Sequence, residues 1–336
     1  MYNIFLSVLK YLLLLGIGAG FLYLAFREQD TEKLISDLKR ADYRWVVASG
    51  IACLLSHYFR ALRWNMLITP LDHQPKIQNT FAAVMVGYLA NQALPRLGEV
   101  SKCASLSKAE NIPANQLIGT VVIERICDTI MLFLVTLLCI ILQYDHISEF
   151  IFGVIEQLIT HPDRMIYVGV IAIAIILLVL VWQFVKKEFV KFPKKIHAFT
   201  VGVKNGLLSV RDIDNKNLFI FYSVMIWVMY YVSTYLCFFA LDATSNLGFG
   251  AALATLLFGS IGMTIPVQGG IGTYHYMVVQ GLTAYSINKS DGLAYATIIH
   301  SSQALIILTV GAMSLIFLMF VSSKQLKIKN AKSRAS

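Results

Sequence analysis

Long runs of apolar residues, separated by short polar segments, dominate the pattern along this chain. A run of roughly 18 or more apolar residues can cross the hydrocarbon core of a membrane as a helix. Six runs meet this criterion and predict six transmembrane helices, over residues 4–26, 44–67, 117–143, 165–185, 218–241 and 293–320. No small-residue cleavage site precedes Arg27, so the first run is interpreted as an uncleaved span. The pattern predicts an all-α polytopic membrane protein.

Two further apolar segments, 80–95 and 249–287, are interrupted by proline and glycine. These residues free backbone polar groups, which a membrane protein tolerates at depth only where they line a cavity or are buried in protein. The segments therefore predict two broken hairpins, which raise the number of membrane segments to about eight. The hairpin breaks lie at Pro95, Gly98, Pro266, Gly269, Gly270 and Gly272.

The two breaks resemble each other. Aligning Pro95 with Pro266 also aligns Gly98 with Gly269, and each hairpin follows two apolar helices and precedes one. We therefore expect a single integral membrane domain over 1–336 that forms an inverted repeat, with halves 1–160 and 161–320, a basic tail over 321–336, and hairpin tips that meet near the midplane. The alternative is a coincidence of two ordinary Pro-Gly turns.

Composition and charge narrow the class and the orientation. Charged residues make up only 14% of the chain, against roughly a quarter in soluble domains, which excludes a soluble enzyme. Segment 186–217 holds eight lysines and arginines and the tail holds five, so both are expected in the cytoplasm. This orientation places both termini on the cytoplasmic side of the membrane. The net charge of +9 is then explained by cytoplasmic loops that face anionic lipid headgroups. Nucleic acid is therefore not expected as a partner.

Seven ionisable residues fall within the membrane segments, all of them in the first half: Arg60, Arg63, Arg96, Glu99, Glu124, Arg125 and Asp128. Each charge costs about 2.5–3.5 kcal/mol at the centre of a membrane helix, so these residues must pair or face water. We interpret them as a binding site for a lipid headgroup. Two alternatives stay open, a purely structural ion-pair network and, for Arg63, a side chain that reaches the membrane surface.

Catalytic and metal-binding patterns are missing from the sequence. It contains no P-loop, HExxH motif or nucleophile elbow, and His275 and His300 are interpreted as isolated, satisfied polar residues. We therefore expect no enzymatic activity, no cofactor and no metal site.

Four motifs carry a resemblance to a known family. RALRWNML at 60–67, GYLANQALPRLGEVSK at 87–102, VIERICD at 122–128 and PVQGGIGTYHYMVVQGL at 266–282 resemble the lysylphosphatidylglycerol synthase transmembrane (flippase-like) family of prokaryotic integral membrane proteins. The resemblance covers about residues 5–320. In bifunctional members it implies a region that moves an aminoacylated phospholipid and precedes a soluble synthase domain. That soluble domain is expected to be lacking here.

The leading hypothesis is a lipid translocase that moves a phospholipid or another lipid-linked polar headgroup across the membrane, with membrane phospholipids as its partners. One alternative is a non-transporting partner of a separate lipid-modifying enzyme, bound through the basic segment 186–217. The other is an intramembrane lipid transferase with Glu124 or Asp128 as general base.

Overall fold

A computed structural model describes residues 16–26, 31–144, 148 and 195–335. Its described residues are helical or lie in turns and short connections, without a β-strand. The helices are α1 (Gly16–Phe26), α2 (Thr31–Arg40), α3 (Tyr43–Ile68), α4 (Ile77–Ala93), α5 (Gly98–Glu110), α6 (Ala114–Leu142), α7 (Lys195–Leu208), α8 (Lys216–Phe238), α9 (Phe249–Thr264), α10 (Thr273–Thr283) and α11 (Lys289–Ala335). The all-helical prediction is confirmed.

Four of these helices, α3, α6, α8 and α11, are long and apolar enough to cross a membrane. They coincide with four of the six predicted spans. The predicted span 165–185 and residues 4–15 of the first span lie outside the described residues, as do segment 144–164 except Tyr144 and Ser148, and residues 186–194 of the basic segment. The four spans confirm the polytopic membrane class.

The first predicted hairpin consists of α4 and α5. At 17 and 13 residues they are about 25 and 20 Å long, each shorter than the hydrocarbon core of about 30 Å. Glu110 Oε1 at the end of α5 accepts hydrogen bonds from the Lys76 backbone N at 2.9 Å and from Asn79 Nδ2 at 2.6 Å. These bonds join the two ends of the hairpin. The chain therefore enters and leaves at the same end of the molecule.

The break between α4 and α5 has a specific local cause. Leu94 is extended and precedes Pro95, and Arg96 has a φ of +64°, so the helix cannot continue. Asn91 Oδ1 accepts a hydrogen bond of 2.7 Å from the Gly98 backbone N across the turn. A Cβ at Gly98 would collide with the Gly87 carbonyl oxygen. Glycine at this position lets the two helices approach closely.

The second hairpin consists of α9 and α10. Its break holds three glycines in the left-handed region, Gly269, Gly270 and Gly272, with φ of +57°, +74° and +86°. Side chains with a Cβ rarely adopt this conformation, which explains the glycine-rich sequence. Gln268 Nε2 donates a hydrogen bond of 3.3 Å to the Ala93 carbonyl oxygen, so the two hairpin tips touch.

The two hairpins have their bases at opposite ends of the molecule. The base of the first packs in an apolar cluster with the ends of α3 and α11, represented by Ile68 and Leu318. The base of the second packs with α2 and the opposite end of α3, represented by Leu34 and Val46. The long helices α3 and α8 pack along each other and are joined by the Ser49 Oγ–Ser233 Oγ hydrogen bond of 2.9 Å.

Packing between the remaining helices is reciprocal. Helix α11 packs on α4 of the first hairpin, and α6 packs on α9 of the second. This arrangement is what two halves related by an approximate two-fold axis would show. The boundary near residue 160 lies outside the described residues, so the division into halves stays a prediction.

Candidate functional site

A cluster of charged side chains lies at membrane depth between α3 and α6. Arg60 and Arg63 are three residues apart and therefore share one face of α3. Arg60 Nη1 donates to Asp128 Oδ2 at 2.6 Å, and Arg63 Nη2 donates to Asp128 Oδ1 at 2.7 Å. One carboxylate on α6 thus accepts from two guanidinium groups on α3.

The first hairpin adds a third cation to this cluster. Lys102 on α5 forms an ion pair with Glu124 on α6, whose Oε1 also lies 3.8 Å from Arg63 Nη2. The Lys102 Nζ lies 3.9 Å from the ring centroid of Trp64, a cation–π contact. Trp64 is held in turn by a 2.9 Å hydrogen bond from its Nε1 to Thr120 Oγ1. Lys102 is therefore positioned by two separate helices.

This buried cluster carries an excess positive charge. Arg60, Arg63 and Lys102 face the carboxylates of Glu124 and Asp128, which leaves a net charge of +1. The Arg63 side chain is 0% exposed and that of Glu124 is 2% exposed. Because an unbalanced charge is costly away from water, the arrangement favours an anionic ligand or ordered water.

Several polar atoms of the cluster lack hydrogen-bond partners among the described residues. They are Arg60 Nε, Arg63 Nε and Nη1, and Glu124 Oε1. Buried polar groups in folded proteins are nearly always paired. The free guanidinium N–H groups are therefore available to an acceptor that comes from outside the described protein.

The Glu99–Arg125 ion pair marks the edge of the cluster. Arg125 Nη2 on α6 donates to Glu99 Oε1 on α5. The Arg125 side chain is 58% exposed and that of Glu99 30%, so this pair lies between the buried cluster and the outer surface of the helices.

A small cavity connects the two groups. Its volume is about 30 Å³, enough for about two water molecules. A lipid headgroup does not fit into this volume. The cavity is lined by Arg60, Val84, Gly87, Tyr88, Asn91, Gly98, Glu99, Lys102, Val121, Glu124 and Arg125.

Six of the seven predicted charged residues come together here: Arg60, Glu99, Glu124 and Arg125 line the cavity, and Arg63 and Asp128 join them through ion pairs. Arg96 does not join them. It is exposed at the turn of the first hairpin, outside the set of residues that line the cavity, and it has no ion pair with any residue that the structure describes.

The predicted hairpin breaks also fall into two groups, one at the cavity and one away from it. Gly98 lines the cavity and Pro95 lies in the adjacent turn. The breaks of the second hairpin, namely Pro266, Gly269, Gly270 and Gly272, fall outside the lining and belong to the opposing tip.

Sequence reasoning missed several side chains at the site. Lys102 lies three residues after Glu99 and shares its helix face, a spacing that could have identified it as an eighth charge. Tyr230 on α8 accepts a 3.3 Å hydrogen bond from Arg60 Nη2, and no local pattern signals this contact because α8 is distant in the chain. Asn91 and Tyr88 line the cavity as uncharged residues of α4.

The prediction that His300 is a satisfied polar residue is confirmed, but His275 and His300 are not isolated from each other. The rings of His275 and His300 lie with their centroids 4.8 Å apart, and His300 Nε2 donates to the Gly269 carbonyl oxygen at 2.8 Å. They stabilise the break of the second hairpin, apart from the charged cluster. Their partners come from the tertiary structure.

Comparison with known proteins gives two matches. The family described as the lysylphosphatidylglycerol synthase TM region matches residues 8–311. A UPF0104 membrane protein of Methanocaldococcus jannaschii is 25% identical over 308 residues, which cover 86% of this chain and 89% of the relative. No solved structure matches the chain significantly.

Proposed function

We propose a lipid-translocating function for this chain, which belongs to the lysylphosphatidylglycerol synthase transmembrane-region family. The single observation that supports the proposal is a buried charged cluster with one excess positive charge beside a broken hairpin. In this proposal the protein is a transporter without a cofactor, its partners are membrane phospholipids, and it lies in the cytoplasmic membrane of a prokaryote with both termini inside.

The chemistry of the cluster fits a phosphate group. Guanidinium is planar, always charged, and presents several N–H groups that match phosphate oxygens. Arg60 Nε and Arg63 Nε and Nη1 carry no hydrogen bond to a described residue. A phosphodiester carries about one negative charge, which would balance the net charge of +1.

Glu124 and Asp128 have a different part in this proposal. Each carboxylate is engaged by cations, Glu124 by Lys102 and Asp128 by both arginines. They hold the cations in place and limit the net charge, so that a phosphate binds without being trapped. A carboxylate occupied in this way is poorly arranged to act as a general base, which disfavours the transferase alternative.

Passage of a headgroup requires the cavity to widen, because its volume of about 30 Å³ holds only about two water molecules. The short helices of the broken hairpins are the elements that could move, since neither spans the membrane alone. The headgroup would cross inside the protein while the acyl chains stay in lipid.

The test is reconstitution of the full chain into phosphatidylcholine vesicles that contain NBD-labelled phosphatidylglycerol, with dithionite quenching as the measure of flipping. We expect Arg60→Gln to lower the rate at least tenfold relative to the wild type. Lys33→Gln is the matched control, because Lys33 forms an exposed ion pair with Asp291 far from the cluster. Size-exclusion chromatography of each variant separates misfolding from loss of function.

Two results would contradict the proposal. One is a wild-type rate equal to that of empty vesicles. The other is an unchanged flipping rate in the double variant Arg60→Ala, Glu124→Ala, which removes one positive and one negative charge from the cluster.

A further inference from the structure

The Glu99–Arg125 ion pair differs from every other charged pair of the cluster in its exposure. The side chains of Arg60, Lys102 and Asp128 are buried or nearly so, whereas Arg125 is 58% exposed and Glu99 30% exposed. The pair joins α5 of the broken hairpin to the long span α6. Both residues also line the small cavity. The pair therefore separates the cavity from the outer surface at this point.

The surface around this pair is apolar. Val122 lies three residues before Arg125 on the same face of α6, Ile126 lies four residues after Val122, and both are exposed. Leu97, which directly precedes α5, and Val100, which follows Glu99 on α5, are exposed as well. Helix α6 is one of the four helices able to cross a membrane, and only 11% of its most apolar window is buried in the protein. Two charges in such a surface are costly unless they pair with each other.

We propose that the Glu99–Arg125 ion pair is the gate of a lateral entrance between α5 and α6, through which the phosphate-bearing headgroup of a membrane lipid reaches the buried cluster. The acyl chains of that lipid stay outside, against Val122 and Ile126. This role in transport rests on the proposed function, whereas the gate itself can be tested without any transport.

The geometry explains why this pair, and not the buried ones, acts as the gate. Opening the Lys102–Glu124 pair would expose two buried charges, at a cost of several kcal/mol. Opening the Glu99–Arg125 pair releases two partly exposed groups, which water and lipid headgroups can solvate. A phosphate that approaches from the lipid side can also replace Glu99 as the partner of Arg125 and so open the entrance. The phosphate then moves from Arg125 to the buried cations Arg60, Arg63 and Lys102.

The gate is tested with a cysteine reporter inside the cavity. Val121 lines the cavity and is buried, and it bears no charge. The Val121→Cys chain is reconstituted in phosphatidylcholine vesicles, and its labelling rate by N-ethylmaleimide is followed by mass spectrometry of the peptide that contains the reporter. The native Cys237, buried on α8 and outside the cavity lining, serves as an internal standard.

We expect a closed gate to protect the reporter and a broken gate to expose it. Glu99→Arg and Arg125→Glu, each added alone, should raise the labelling rate of the reporter at least fivefold, since like charges then face each other. The exchanged pair, Glu99→Arg with Arg125→Glu, should bring the rate back toward that of the parent. The milder Glu99→Gln and Arg125→Gln variants should give smaller increases in the same direction, and they replace the reversals if those fail to fold.

Labelling of the reporter that is no faster in the single variants than in the parent, or as fast in the exchanged pair as in the single variants, overturns the gate.

The entrance is tested by flipping of NBD-labelled phosphatidylglycerol. A bulky maleimide on Val122→Cys should slow flipping at least fivefold, while the same label on Leu305→Cys, exposed on α11, should leave it within twofold. Equal effects of the two labels overturn the entrance. If the wild type does not flip lipid at all, both the proposed function and the entrance are contradicted. The labelling result still decides whether the pair is a gate.

Discussion

Loss of the Asp128 carboxylate is the most informative single change at the charged cluster. Asp128 accepts from Arg60 at 2.6 Å and from Arg63 at 2.7 Å, and the Arg63 side chain is fully buried. The substitution Asp128→Asn keeps the shape of the side chain and removes only its charge. Arg63 then keeps only Glu124, 3.8 Å away and already paired with Lys102, and Arg60 loses the carboxylate with which it pairs.

The magnitude follows from the burial of these groups. Breaking a buried ion pair by removing one partner costs about 3–5 kcal/mol. Asparagine can still accept one hydrogen bond, so the lower end of this range, about 3 kcal/mol, applies to Asp128→Asn. At about 2 °C per kcal/mol for a chain of this size, the midpoint of thermal unfolding should fall by roughly 6 °C.

The assay is thermal unfolding of the purified chain in detergent, with Asp291→Asn as the matched control. Asp291 Oδ1 pairs with Lys33 Nζ at 2.7 Å, but the Lys33 side chain is 43% exposed, whereas the arginine partners of Asp128 are buried, so this pair should contribute less than about 1 kcal/mol. A double-mutant cycle with Arg60→Gln should give a coupling energy of about 1–3 kcal/mol between Arg60 and Asp128. Equal shifts for the two asparagine variants, or a coupling energy near zero, would refute the reasoning.

Two further predictions concern the hairpins. Gly98→Ala should destabilise the protein by about 1–3 kcal/mol in thermal unfolding, because its Cβ would lie 2.5 Å from Asn91 Nδ2. The control is Gly248→Ala, where a Cβ meets nothing within 4 Å. Equal stability of the two variants would contradict close packing at the break. Gln268→Ala removes the hydrogen bond to the Ala93 carbonyl between the hairpin tips. A loss of about 1 kcal/mol should accelerate amide hydrogen exchange at both tips about fivefold. Unchanged exchange would show that the tips are held together by other contacts.

The classification of the protein was predictable because it depends on local patterns. Apolar runs long enough to cross a membrane predict spans by length alone, and four of them coincide with the helices that the structure describes. The positions of the breaks were predictable for the same reason, since Pro95 and the glycines after Pro266 act on the backbone of their own neighbours. The cost of charge inside a membrane also identified most of the cluster in advance.

The sequence by itself determined which residues are out of place in a membrane and that they must find partners, because that requirement depends only on residue type and position within a span. It could not assign the partners. Tertiary structure decided that Asp128 joins both arginines, that Lys102 supplies the excess positive charge, and that Arg96 stays outside. The physical reason is that ion pairs act over a few ångströms between side chains, and only the packing of α3, α5 and α6 brings groups so distant along the chain within that range.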